Sequence, residues 1–373
     1  MDAPRAPPPQ ISLEYRTSFA KTCRNWQIRS YIQGQFSLGR TMREPRMQDA
    51  PHSFDISLAG LDPEAWRTKM AEIADEHGTY QPLGDKHFAT FIDDRSTLIV
   101  TFESMQGIQV LSDMGQPLGF DLLRALGWSH LCIVSDGDTW FRDPMIYEFF
   151  DRLIDDAFFE DFDRVVFYGA GPCGYAACAF SIAAPGATVI AVQPQATLDP
   201  RIAGWDDRFD HMRRTSFTDR YGFAPEMLDG ADHAFVFYDP MQPLDAMHAA
   251  LFHRSNVDLL RMPHMGAALQ TDLMEMKLLY RILAQAGLGK FDADGFGQMY
   301  RARRDYPPYL RNLLARLEAE ERPELTKMLC RNVTSRMKAP RFRRRLVALE
   351  APAEAPDADT HESEDGETSA RIG

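Results

Sequence analysis

Three side chains stand where the pattern of the chain puts chemistry within reach. Cys173 lies in a glycine-rich bend, Asp239 directly follows the apolar run AFVFY, and His264 follows VDLLRM by two residues. A thiol beside an imidazole is a competent nucleophile, because an imidazolium and a helix N-terminus both favour the thiolate. In that division of labour His264 takes the thiol proton and Asp239 holds the imidazole in orientation. Each residue also has an ordinary reading. Asp239 precedes Pro240 and can simply cap the next helix. His264 is one histidine among ten, and Cys173 sits among alanine and glycine much as Cys178 does, like a buried inert thiol.

The bend must be positioned by its flanks. Val165, Val166, Phe167 and Tyr168 form a short β-branched and aromatic run that reads as a buried strand. Gly169, Gly171, Pro172 and Gly174 follow, and Tyr175 to Ile182 is an alanine-rich stretch suited to a helix packed closely on a sheet. Strand, sharp glycine turn and small-residue helix is the layout of a nucleophile elbow. The same glycines spell G-x-G-x-x-G, which in a dinucleotide fold cradles phosphate. Context opposes that reading: at least two strands precede the motif, and the next strand ends in Gln193-Pro194-Gln195 with no carboxylate for a ribose.

The remaining elements alternate. Asp62-Pro63-Glu64 opens a helix that Gly78 stops. His87 to Ile92 and Thr97 to Phe102 read as a hairpin around Asp93 to Ser96. A helical stretch near Phe120 to Leu126 precedes a strand from Leu131 to Ser135. Asp136, Asp138 and Asp143 are read as a turn and helix cap rather than a metal site, since no histidine accompanies them. Further strands are expected at Thr188 to Val192, His233 to Tyr238 and Val257 to Met262, with helices at Leu244 to Phe252 and Leu269 to Ala286. Residues 196–230 form an irregular insertion, expected to act as a lid. Strands alternating with helices mean a mostly parallel sheet covered by helices on both faces.

At the bend the chain resembles the α/β-hydrolase superfamily, over roughly residues 83–287. It looks similar to bacterial members with an elbow of the form Y-G-S-S-M-G-G-Y-A-A, where this chain has Tyr168-Gly169-Ala170-Gly171-Pro172-Cys173-Gly174-Tyr175-Ala176-Ala177. The resemblance implies an α/β-hydrolase-like sheet and the chain order nucleophile, acid, histidine. It is also similar to an alphaproteobacterial group often labelled phosphoadenosine phosphosulfate reductase. The S-G-G-x-D-S loop and E-C-G-L-H motif of such reductases are absent from this sequence.

Aligned without gaps, the serine of G-x-S-x-G falls on Gly171, and the next residue, whose N–H should serve the oxyanion hole, is Pro172. A second frame puts Cys173 at the nucleophile's place, with the N–H of Gly174 and one from Ser104 or Met105 as oxyanion donors. Two functions follow. One is a hydrolase or acyl-transfer enzyme with a Cys173-His264-Asp239 triad. The other is a catalytically degenerate pseudo-hydrolase that binds a ligand or partner in the cleft at the carboxyl edge of the sheet.

Composition bounds the rest. The chain has 373 residues, 45% apolar, with net charge −13, which argues against nucleic acid as a partner. Cysteines 23, 132, 173, 178 and 330 are widely spaced and fit buried thiols in a reducing cytoplasm. No metal or cofactor is read, and no apolar run reaches membrane-spanning length. Residues 1–52 read as a poorly ordered extension, with Met47 an alternative start. Residues 53–288 form the sheet domain and 289–349 a small helical C-terminal appendage that includes the basic Arg341, Arg343, Arg344 and Arg345. Residues 350–373 read as a disordered acidic tail. Oligomeric state leaves no mark on the sequence.

Overall fold

The computed structural model describes residues 56–351, so the expectations for the N-terminal extension and the acidic tail lie outside the described residues. Eight strands form one sheet: β1 (Gly78–Pro82), β2 (His87–Ile92), β3 (Thr97–Ser104), β4 (Ser129–Ser135), β5 (Arg164–Ala170), β6 (Thr188–Val192), β7 (His233–Tyr238) and β8 (Val257–Arg261). Their order is β1-β2-β4-β3-β5-β6-β7-β8. β2 pairs antiparallel with both neighbours, and every pair from β4 to β8 is parallel.

Two differences from the sequence-based expectation concern pairing. β2 and β3 are not a hairpin, because β4 lies between them. All seven residues of β4 are buried, so it takes an interior place with a ladder on each side. The connection at residues 93–96 instead passes over the end of β4, where the Ser129 hydroxyl accepts from the N–H groups of Asp94 and Arg95. Beyond the first helix, Gly78 opens a short edge strand that lies along β2.

Alternation along the strands divides the core. Leu98, Val100, Phe102, Leu131 and Ile133 face one layer, which the helices Pro144–Asp155 and Pro172–Phe180 cover. Cys132 and Val134 face the other, packed with Trp66, Phe88, Met105 and Phe120. The long helix expected from Leu269 to Ala286 is two helices, Leu269–Glu275 and Leu279–Gly287, separated where Lys277 takes φ 60°.

The chain divides into two compact units at residues 304 and 305. Phe291 and Phe296 belong to the first, where they pack on Phe235 and Phe237 of β7 at ring distances of 4.6 and 5.1 Å. The second contains helices Pro307–Ala319, Pro323–Arg336 and Pro340–Glu350 around Leu310, Leu314, Cys330, Val333 and Phe342. Among the described residues, no helix is long and apolar enough to cross a membrane.

Candidate functional site

Chain direction determines where a site can form. From β3 the chain passes to β4 on one side, and from β5 it passes to β6 on the other. The divergence opens a crevice beyond the carboxyl ends of β3 and β5, which is where open α/β sheets bind ligands. A cavity of about 390 Å³ lies there, lined by Glu103 and Ser104 at the end of β3, Asp138 and Trp140 after β4, Cys173 after β5, and Gln270.

The bend after β5 is a tight elbow. Gly171 has φ 57° and ψ −127°, a conformation open mainly to glycine, and Pro172 begins the helix Pro172–Phe180. The Gly171 N–H donates to the Val192 carbonyl, and the Gly171 carbonyl accepts from Tyr175 N–H. The glycines do different jobs. A Cβ at Gly169 would fall 2.0 Å from the Cys173 carbonyl oxygen, so that position is where strand and helix backbones meet. A Cβ at Gly171 would meet nothing within 4 Å. The turn residue that would carry a nucleophile is therefore Gly171, and the space above it is open.

Cys173 lies inside the helix, two residues past the turn. Burial pushes its thiol far up, and the Glu103 and Asp138 carboxylates push the same way, against a hydrogen bond from the Ser104 backbone N–H. Ser104, expected as an oxyanion donor, thus already aims its N–H at this sulfur. Its hydroxyl caps the helix Met105–Leu111 by accepting from Gly107 N–H. Met105 is buried in the core of the opposite layer. Gly174 is buried in the elbow helix, where a Cβ would lie 3.2 Å from the Gly169 carbonyl oxygen.

Asp239 and His264 do come together, at the ends of β7 and β8, but through the backbone. Asp239 is fully buried and its carboxylate accepts from the N–H groups of Met241 (2.8 Å), His264 (3.2 Å) and Gly266 (2.7 Å). His264 takes φ 67° in the turn so braced. Neither residue lines the cavity that holds Cys173.

The loop after β4 closes another side of the cavity. Trp140 and Phe141 both have positive φ, 56° and 55°. Such residues cost about 1–3 kcal/mol each and persist only where packing enforces them. Here Trp140 is held against Phe209 (4.8 Å), Tyr175 (5.6 Å) and Phe217 (5.8 Å). Its indole N–H is buried without a hydrogen-bond partner, in a residue that lines the cavity. Asp143 accepts from Met145 N–H and caps the next helix, while Asp138 pairs with His211 across the rim at 2.6 Å.

The insertion at 196–230 is fastened at several points. Asp206 is bound by His248 (3.0 Å) and Arg208 (2.8 Å), and Arg208 also reaches Asp245 (2.6 Å). Arg142 pairs with Asp219, Arg220 pairs with Asp151, and the Tyr175 hydroxyl donates to the Tyr221 carbonyl. Phe217 and Tyr221 are buried in the core.

Sequence reasoning missed Glu103. Its carboxyl accepts from Thr101 hydroxyl at 2.8 Å and from Leu118 N–H at 3.1 Å, beside the Cys132 thiol. Burial outweighs those bonds and raises its pKa to about 7. The available signal was spacing: Thr101 with Glu103, and His130 with Cys132, are both two apart on strands, so each pair shares a face.

No family model matches the chain and no curated protein matches it. Among solved structures it is similar to the glycosylation associate protein (Gap123) complex from Streptococcus agalactiae, at 11% identity and a TM-score of 0.37. That match covers 55% of this chain and 46% of the other, so the chain spans about half of that neighbour. Est1E from Butyrivibrio proteoclasticus is similar at 13% identity and a TM-score of 0.37, covering 56% of this chain and 98% of its own. The capsule O-acetyltransferase of Neisseria meningitidis serogroup A is similar at 12% and 0.32, covering 54% and 93%. The strand order and the elbow themselves make this an α/β-hydrolase-like sheet, with glycine at the turn of the elbow.

Proposed function

We propose that the protein binds a small molecule in the cavity over the elbow and performs no acyl transfer from the elbow position. The observation that carries this reading is Gly171, a residue without a side chain at the turn where a nucleophile would stand. Pro172 supports it, since it supplies no N–H for an oxyanion. Asp239 supports it too, because both of its oxygens serve backbone donors. The cavity offers a ligand the Glu103 carboxyl and Gln270, among walls that include Trp140 and Phe141. A few polar groups in an apolar concavity are the usual composition of a small-molecule site.

The rival is a hydrolase or acyl-transfer enzyme built on Cys173, His264 and Asp239. It is favoured by one observation, that Cys173 lines the cavity. A compound library scored by melting temperature, together with an ester and thioester turnover screen, separates the two. The expected result is ligands that stabilise the wild type more than Trp140→Phe, with no turnover in either the wild type or Cys173→Ala. Turnover present in the wild type and abolished in Cys173→Ala would overturn the proposal.

A further inference from the structure

β3 and β4 run side by side in parallel, with Ile99 opposite His130, Thr101 opposite Cys132 and Glu103 opposite Val134. That register puts Thr101, Glu103, His130 and Cys132 on one face, the face that does not carry Phe102 and Ile133. Donor atoms of Glu103, His130 and Cys132 lie within 4.8 Å of one another. The Cys132 thiol is 3.7 Å from Glu103 Oε1. The Thr101 hydroxyl stands between carboxylate and imidazole, donating to Glu103 at 2.8 Å and lying 2.9 Å from His130 Nε2.

We propose that Glu103, His130 and Cys132 form a binding site for a zinc-class divalent metal, one edge of which borders the cavity. Nitrogen, sulfur and oxygen donors from three side chains are a set that such ions take, with a fourth position left for water or a ligand. Tetrahedral coordination at bond lengths of about 2.0–2.3 Å places donors roughly 3.5 Å apart. The donors must therefore draw together around the ion, and the Thr101 hydroxyl now between them must rotate aside or join the ligand set.

Several features of the surroundings fit a metal better than a bare polar cluster. His130 is 1% exposed, with its Nε2 turned to the Thr101 hydroxyl inside the cluster. Gly119 leaves room for the ring, since a Cβ there would fall 2.2 Å from His130 Nε2. Phe120 packs edge-on against the same ring at 5.8 Å. A divalent ion with a thiolate and a carboxylate makes a charge-neutral buried site. The thiol proton, and the Glu103 proton where it is still bound, leave to solvent as the metal–sulfur and metal–oxygen bonds form. Of the three, Glu103 also lines the cavity, so the cluster borders the space where a ligand would lie.

The test uses the full-length chain, stripped with chelator and titrated with Co(II) and with Zn(II). One equivalent of Co(II) is expected, with a sulfur-to-cobalt charge-transfer band, and Zn(II) is expected to raise the melting temperature until one equivalent is bound. The band should vanish in Cys132→Ser and persist in Cys173→Ser and Cys330→Ser. Glu103→Gln should weaken cobalt binding about 10-fold or more. A band that survives Cys132→Ser overturns the assignment. Wild-type protein with neither stoichiometric uptake nor stabilisation overturns it as well, whatever the folding of the variants.

Discussion

Gly169 and Gly171 are the same residue type two positions apart, yet they answer to different physics. Gly169 is required by contact: a methyl group there would overlap the Cys173 carbonyl. Gly171 is required by conformation, with open space around it. Gly171→Ala is expected to cost about 1–3 kcal/mol, the strain of an L-residue at that φ. Gly169→Ala should cost more than about 4 kcal/mol, because the strand and helix must separate. Urea denaturation of the two variants checks the order; equal losses would mean that the elbow relaxes freely. The sequence contained a signal for which residue is the turn. Proline is welcome at the first helical position, so Pro172 places the turn at Gly171 rather than at Cys173. Glycine spacing alone left both frames open.

At the scale of elements, the strand ends were readable and the roles of their residues were not. Asp239 and His264 lie at the ends of β7 and β8 where the apolar runs stop. That Asp239 serves three backbone N–H groups depends on the fold of residues 262–266, on which the hydrophobic pattern is silent. Asp239→Ala removes the acceptor of all three donors, and a loss of about 3 kcal/mol is expected in thermal or urea melts. A melt indistinguishable from wild type would show that the carboxylate is not the brace of this turn. The β2–β3 hairpin failed for a related reason. Short separation favours a local pairing, but β4 is buried on both faces and displaces β3 from β2. Likewise nothing local to Glu103 marks it out in the sequence. Its partners at Leu118 and Cys132 arrive from other elements.

At the scale of the molecule, the insertion is tied to the sheet domain by a buried charge network that should govern acid stability. Burial alone would raise the Asp206 carboxyl, but hydrogen bonds from His248 and Arg208 hold it well below the usual aspartate range. A depressed carboxylate contributes stability that is fully present above about pH 4 and is lost as pH falls towards the folded value. Asp206→Asn is therefore expected to cost about 3 kcal/mol at pH 7, with the gap to wild type narrowing only below about pH 4. Melting curves across pH 2–8 check this, and a gap that widens on acidification would reverse the sign.

The alternation of strands and helices, the parallel sheet and the elbow were legible because periodicity and glycine placement report local geometry. The cavity, the fastened insertion and the Glu103 cluster arise from segments distant in the chain, so local pattern could not reveal them.

The central claim is that the elbow turn carries no nucleophile and that the cavity binds without forming a covalent acyl intermediate. Intact-protein mass spectrometry after brief exposure to activated acyl esters and thioesters tests it most directly. The account predicts unmodified wild-type mass and no burst of released leaving group. A stoichiometric acyl adduct on Cys173 that disappears in His264→Ala would contradict it.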